Sequence, residues 1–237
     1  LFSGVDEFTG YPFSTRDGKH IVSVCQENRQ NMMSHLLLWG IKDPIMPFTS
    51  DGQGEGGLGG TMDTTLSYWA DECHAQGGTV VSAHFWGFSR EVVVLVATGR
   101  LDALEFKGHQ REYTHQEYYR LLNCGYQIPL VGGTDKMDNA TPLGFYRTYV
   151  KMQEGEEFTF DNWCSNVRRG RTFMTAGPIL HLSVNGQEIG DTVDIDSPGT
   201  VEVDAWAESV VPIQRLDLIK NGEVVASVKS ADGTRRL

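Results

Sequence analysis

Between residues 61 and 133, helix-like and strand-like segments alternate three times, and no other feature narrows the folding options of this chain as much. The stretch "TMDTTLSYWADECHAQGG" has polar starters, spaced apolar residues and a double-glycine stop, which is the pattern of a helix. "TVVSAH" follows as a strand. "SREVVVLVATG" predicts a second helix ending at Gly99, against the β-branched character of its valines, and "LDALEF" predicts the next strand. In "THQEYYRLLNCG", Thr114 stands three residues before Glu117, a capping-box spacing, and the helix closes on Gly125 before "IPLVGG" returns as a strand. Alternation of this kind favours parallel strands joined by crossover helices.

A fourth helix is expected at "TFDNWCSNVRRG", where Thr159 can cap the start and Arg168 and Arg169 suit the negative end of the helix dipole. From about residue 179 the pattern changes. Polar and apolar residues alternate in "HLSVNGQEIG", "TVEVDAWAES" and "RLDLIKNGEVVASV", and two Asn-Gly pairs predict tight hairpins in a small antiparallel β domain. Upstream, "DGQGEGGLGG" (51–60) reads as a flexible loop. Its Gly54, Gly56 and Gly59 match G-x-G-x-x-G, but the preceding "DPIMPFTS" holds two prolines and makes a poor Rossmann strand, so dinucleotide binding is rejected.

Thirty-one acidic residues against twenty basic ones give a net charge of -11, with no basic stripe to neutralise phosphates, which argues against a nucleic-acid partner. The longest apolar runs fall short of the roughly 20 residues that cross a bilayer, so a soluble chain without a membrane span is expected. It opens on Leu1 without a leader and stops after a strand-like segment, as a fragment cut at both ends would. Cys25, Cys73, Cys124 and Cys164 form no C-x-x-C pair and read as buried free thiols, with two disulfides as the alternative. Neither compartment nor oligomeric state is specified.

Side chains at strand ends converge on one mouth in parallel α/β folds, so residue types there carry the most information. Glu27 ends "IVSVCQE", His35 begins "SHLLLW", His84 ends "TVVSAH" and Asp135 follows "IPLVGG"; Glu105 in "LDALEF" is a fifth candidate. Two imidazoles and two carboxylates suit a divalent cation such as zinc, manganese or iron. Blander roles exist for three of them: a core histidine for His84, an ion pair with Arg29 for Glu27, a loop cap for Asp135. Arg29, Lys136 and Arg147 lie near these blocks and are candidates for binding a small-molecule substrate or a developing oxyanion, and Arg171 could face the same mouth.

The blocks "ENRQNMMSHLLLWG", "WADECHAQGGTVVSAHF", "LLNCGYQIPLVGGTDKM" and "GRTFMTAGP" occur in the order found in the CehA/McbA branch of the PHP (polymerase and histidinol phosphatase) metallohydrolases, which the chain resembles from about residue 20 onward. The resemblance implies an α/β fold: a distorted (β/α)7 PHP-type barrel, N-terminally incomplete, over residues 1–178, followed by a small antiparallel β-sandwich-like domain over 179–237. It also implies metal ligation by Glu27, His35, His84 and Asp135. The family's amino-terminal H-x-H and Asp-His pair have no counterpart before Glu27, and Met137 stands where the last histidine is usual.

The activity so implied is hydrolysis of an ester-like bond (carbamate, carboxylic ester or phosphoester) by a metal-activated water. The absence of a G-x-S-x-G elbow agrees with that mechanism. The general acid is not legible. An alternative is a noncatalytic scaffold with an incomplete metal site; another is a carbohydrate-binding β domain using Trp206.

Overall fold

A computed structural model describes residues 8–52, 59–85, 91–107, 112–136, 138–230 and 233–237. Most of the expected glycine-rich loop, the segment after His84 with Trp86, and also His109 and Met137 lie outside them. The described chain begins with a short antiparallel pair, β1 (Phe13–Ser14) and β2 (Ile21–Val22). A hairpin of β3 (Gln26–Gln30) and β4 (Ser34–Trp39) follows. Next come α1 (Leu66–Ala75), β5 (Thr79–Ser82), α2 (Val92–Ala97), β6 (Ala103–Phe106), α3 (Glu112–Asn123) and β7 (Leu130–Gly132).

These strands make one five-stranded sheet in the order β3-β4-β5-β6-β7. The crossover helices give parallel pairing of β5 with β6 and of β6 with β7, as the alternation requires, whereas β4 meets both its neighbours antiparallel. Every residue of β5 and β6 is buried, because both faces of the sheet are covered. On one face Leu36, Leu38, Leu104 and Phe106 pack with Trp69 of α1 and Leu95 of α2. On the other, Val81, Ala103 and Val131 pack with Trp39 and with Trp163 and Val167 of α4 (Phe160–Arg168). Period-two alternation puts Glu27, His35 and Glu105 on this second face, at the positions where the apolar cover ends.

Local chemistry explains the helix ends. Thr159 accepts a hydrogen bond from the Asn162 amide at 3.1 Å, the expected cap of α4. The free amides that begin α1 are met by Glu91, whose carboxylate accepts from the Leu66 and Ser67 backbone at 2.8 and 3.0 Å. The predicted capping box at Thr114 is corrected. α3 already runs from Glu112, and Thr114 is a buried residue inside the helix, where the same three-residue spacing simply joins two positions on one face.

β8 (Arg147–Val150) and β9 (Thr172–Thr175) pair antiparallel on either side of α4 in sequence. Beyond them β10 (Ile179–Val184), β11 (Gln187–Glu188) and β12 (Val203–Glu208) form a three-stranded sheet, and β13 (Arg215–Lys220) and β14 (Glu223–Lys229) a two-stranded one. Both Asn-Gly hairpins are present, with φ of 50° and 77° at Asn185 and Gly186 and 55° and 87° at Asn221 and Gly222. In β14 the register jumps: Leu218 faces Ala226 and Ile219 faces Val224, so Val225 is the extra residue of a β-bulge.

The barrel with an appended sandwich-like domain is therefore overturned. The described residues hold fourteen strands and four helices in several small sheets, none of them closed. Two antiparallel pairings of β4 place a hairpin where a barrel would continue with parallel βα units, and β3 and β7 remain the two edges of an open sheet.

Candidate metal centre

Glu27 is the second residue of β3 rather than the last of a strand, and Arg29, two residues on, stands across from His35 in β4. Glu27 and His35 thus share one face at diagonal positions of a hairpin. The turn between the strands is short, and Asn31 within it reaches back to the imidazole. His84 arrives from β5 by a sharp turn in which its φ is 34°, a left-handed conformation that a non-glycine residue adopts at a cost. Its backbone amide donates to Glu105 Oε2 at 2.8 Å.

The result is a compact donor group. His35 Nδ1 lies 3.2 Å from Glu27 Oε1 and 3.1 Å from His84 Nε2, while His84 Nε2 lies 4.0 Å from the same Glu27 oxygen. His35 Nε2 sits 2.9 Å from Asn31 Oδ1, an oxygen that only accepts, so this nitrogen carries the proton. The other ring nitrogen, Nδ1, faces the Glu27 oxygen and His84 Nε2. The three donors fall within 4.8 Å of one another, and two nitrogens with one hard oxygen suit zinc, manganese or iron. The residues present therefore fit a divalent cation.

Burial shapes the charges here. It lowers His84 from the ordinary imidazole value, helped by the neighbouring His35. Burial also acts to raise the Glu27 carboxyl, but the His35 hydrogen bond and the charges of His35, His84 and Arg29 outweigh it, and the net shift is downward. Glu105 is pushed up to about 7, chiefly by burial, with the Asp135 and Glu27 charges adding to it and the His84 amide opposing. Its carboxylate lies so close to Gly133 that a Cβ there would overlap it.

Asp135 does not join the donor group. Its carboxylate pairs with Lys107 just beyond β6, and the two side chains are equally exposed at 23%. Burial acts to raise Asp135, yet the Lys107 hydrogen bond and charge bring it below the usual carboxylate range. Like His84 it holds a left-handed backbone, with φ of 44°.

Three of the four cations chosen from the sequence make bonds away from the donor group. Lys136 is exposed, and its ammonium donates to the carbonyls of Asp138 and Thr141, the latter at 2.8 Å. Arg147 donates to the Gly144 carbonyl at 3.2 Å and lies over the Tyr149 ring. Arg171 reaches Asn166 at 3.4 Å and Asp191 at 3.9 Å. Arg29 stays beside the donors as a charge on Glu27, with its Nε buried and lacking a hydrogen-bond partner. Trp206 is half-buried, with the His181 ring stacked at 5.4 Å and the Arg236 guanidinium at 5.1 Å. All four cysteines are free; Cys73 and Cys164 are buried, their thiols pushed up to about 12 by desolvation, and Cys124 is exposed.

Three participants escaped the sequence reading. Asn31 orients His35, Asp51 accepts the Asn31 amide from the far side of the turn, and Lys107 takes Asp135. The spacing of Asn31 four residues before His35 was visible, but a polar turn residue is too common to stand out. No protein-family model, curated protein or solved structure matches the chain.

Proposed function

We propose that the chain holds a divalent cation through Glu27, His35 and His84 and hydrolyses an ester-like bond in a small molecule, a carbamate, a carboxylic ester or a phosphoester. The observation that carries the proposal is the convergence of two imidazole nitrogens and one carboxylate oxygen on a single point. A cation there would supply Lewis acidity, making water a competent nucleophile near neutral pH and polarising the scissile group.

The chain's own residues do the holding. Asn31 fixes which nitrogen of His35 faces the donors, and Glu105 steadies the strained turn that presents His84. Glu27 is 37% exposed against 11% for His35, so the group opens toward solvent on the carboxylate side. Three protein ligands with an open side are the arrangement of catalytic rather than structural sites. The reaction class rests on the resemblance of the motif blocks to PHP metallohydrolases, and that family's barrel forms no part of the proposal.

A second reading, noncatalytic cation binding, is favoured by the Lys107–Asp135 pair, which withholds the fourth expected ligand. Metal analysis after equilibration with zinc, manganese or iron, together with assays on chromogenic esters, carbamates and phosphoesters, separates the two. About one ion per chain is expected, lost in His35→Ala and His84→Ala, with turnover abolished by a chelator. A chain that takes up no cation ends the proposal; uptake without turnover of any substrate leaves the noncatalytic reading.

A further inference from the structure

Arg29 stands beside the donor group without a side-chain partner among the described residues. It lies two residues after Glu27 on β3, so the two side chains share a face, and directly across from His35 on β4. Its backbone is held on the other side as well. The amide donates to the Phe48 carbonyl at 2.9 Å, the carbonyl accepts from the Ser50 amide at 3.1 Å, and Thr49 pairs with it in an isolated parallel bridge. This places the stem of the side chain beside His35, and the guanidinium charge acts on Glu27. Glu27 does not take it as an ion pair; its Oε1 faces His35 Nδ1 at 3.2 Å instead. The Arg29 Nε is buried with no hydrogen-bond partner, while the two terminal nitrogens, equally unpaired, are open to solvent.

We infer that Arg29 selects the charge of the substrate: its terminal nitrogens pair with a negatively charged oxygen, of a phosphate or a carboxylate, so that the site takes anionic small molecules in preference to neutral ones. The inference rests on the proposed cation site. A half-buried guanidinium gives up hydrogen bonds to water, and leaving its donors unpaired is a cost that an anionic acceptor matching its planar fork removes. Repulsion adds to that cost. A guanidinium next to a divalent cation opposes it, and an anion placed between the two turns one repulsion into two attractions. Cation and anion should then bind cooperatively, each tightening the other by the same factor. A neutral ester or carbamate offers the arginine no such charge.

The test is binding of manganese and of methylphosphonate to the full chain, measured by calorimetry for the wild type and Arg29→Met, with circular dichroism as a check on folding. Acetate serves as the carboxylate probe and dimethyl methylphosphonate as the neutral one. With manganese present the wild type should bind at least one of the two anions but not the neutral diester, and that anion should tighten manganese in return; the better anion tells phosphate from carboxylate. Arg29→Met should weaken anion binding by about ten- to a hundredfold, the worth of a charged hydrogen-bond donor. Manganese alone should bind the variant as tightly as the wild type or tighter, which loss of a merely structural arginine would not allow. If Arg29→Met does not fold, Arg29→Gln carries the same comparison. Anion binding unchanged in the variant overturns the inference, as does a neutral diester that binds as well as the anions, or manganese and anion weakened alike. A wild type that binds manganese but neither anion also overturns it and leaves the proposed function intact. If the wild type takes up no cation, the proposed function fails and the anions alone decide: binding lost in Arg29→Met keeps Arg29 as an oxyanion site, and no binding ends both.

Discussion

The central strands of the five-stranded sheet and the β13–β14 hairpin are both built from apolar and β-branched residues, yet they sit in opposite environments. Every residue of β5 and β6 is buried between two layers of side chains, whereas every residue of β14 is exposed, with Val224, Val225 and Val228 each more than half open to solvent. Strand-forming composition alone therefore does not say whether a strand is core. What distinguishes the two is the helices that follow the strands in sequence and cover them, which the hairpin lacks. The same difference places the chemistry. Polar groups that interrupt a doubly covered sheet must find partners: Glu27 and His35 meet each other and His84, and Glu105 accepts the His84 amide, whereas on the exposed hairpin Asp217 pairs with Arg215 and Ser227 at the surface.

Four measurements can break this contrast or sharpen it. The largest effect is expected at Trp69, wholly buried against the sheet: Trp69→Ala should lower unfolding stability in urea by about 3–5 kcal/mol. The value should fall toward the lower end, because the indole Nε1 is buried without a partner and its removal relieves a cost. Gly133→Ala comes next, at about 1–3 kcal/mol, because the new methyl overlaps the Glu105 carboxylate and forces it off the His84 amide. A sheet whose stability ignored this substitution would show that Glu105 does not brace the turn.

A smaller effect, on the order of 1 kcal/mol or less, is expected from His74, whose Nε2 lies 2.8 Å from Asp102 Oδ2 while the same oxygen accepts the Val80 amide of β5 at 2.7 Å. The hydrogen bond to Asp102 raises His74 above the ordinary imidazole value against the opposing effect of burial. A raised folded-state value means that the stabilisation is complete at pH below the unfolded-state value and fades as pH climbs through the folded-state one. The stability difference between wild type and His74→Gln, followed by urea unfolding across that window, should shrink toward alkaline pH; a flat difference would remove His74 from the sheet's charge balance. The smallest effect belongs to the hairpin, where Val225→Ala should change stability by no more than about 0.5 kcal/mol. A loss as large as that of Trp69→Ala would mean that β14 is covered in solution and would collapse the comparison.

Much of the local structure was legible because single residues dictate it. The Asn-Gly pairs required left-handed backbone and produced hairpins, Thr159 offered a side-chain oxygen to an unpaired amide and capped α4, and the stop at Gly99 held despite the valines before it. Failures came where meaning depends on distant partners. Thr114 and Glu117 have the spacing of a cap and also of one helix face, and only the upstream start of α3 decides between them. The direction of β4 relative to β5 is likewise set by packing rather than by either strand's own pattern, and with it went the barrel. In the candidate site Glu27, His35 and His84 come together as their residue types suggest, while Asp135 is diverted by Lys107, a pairing 28 residues apart that no local pattern announces.

The bulge at Val225 has a consequence for how the chain behaves in company. Among the described residues nothing pairs with the outer edge of β14, so this edge offers backbone donors and acceptors to any extended strand that drifts past, and its valines would reward the contact. An extra residue breaks the regular spacing of those groups and adds local twist, so an approaching strand meets a ladder with a rung out of place. Val225 thus protects by position rather than by polarity, keeping an apolar edge from becoming a template for indiscriminate association.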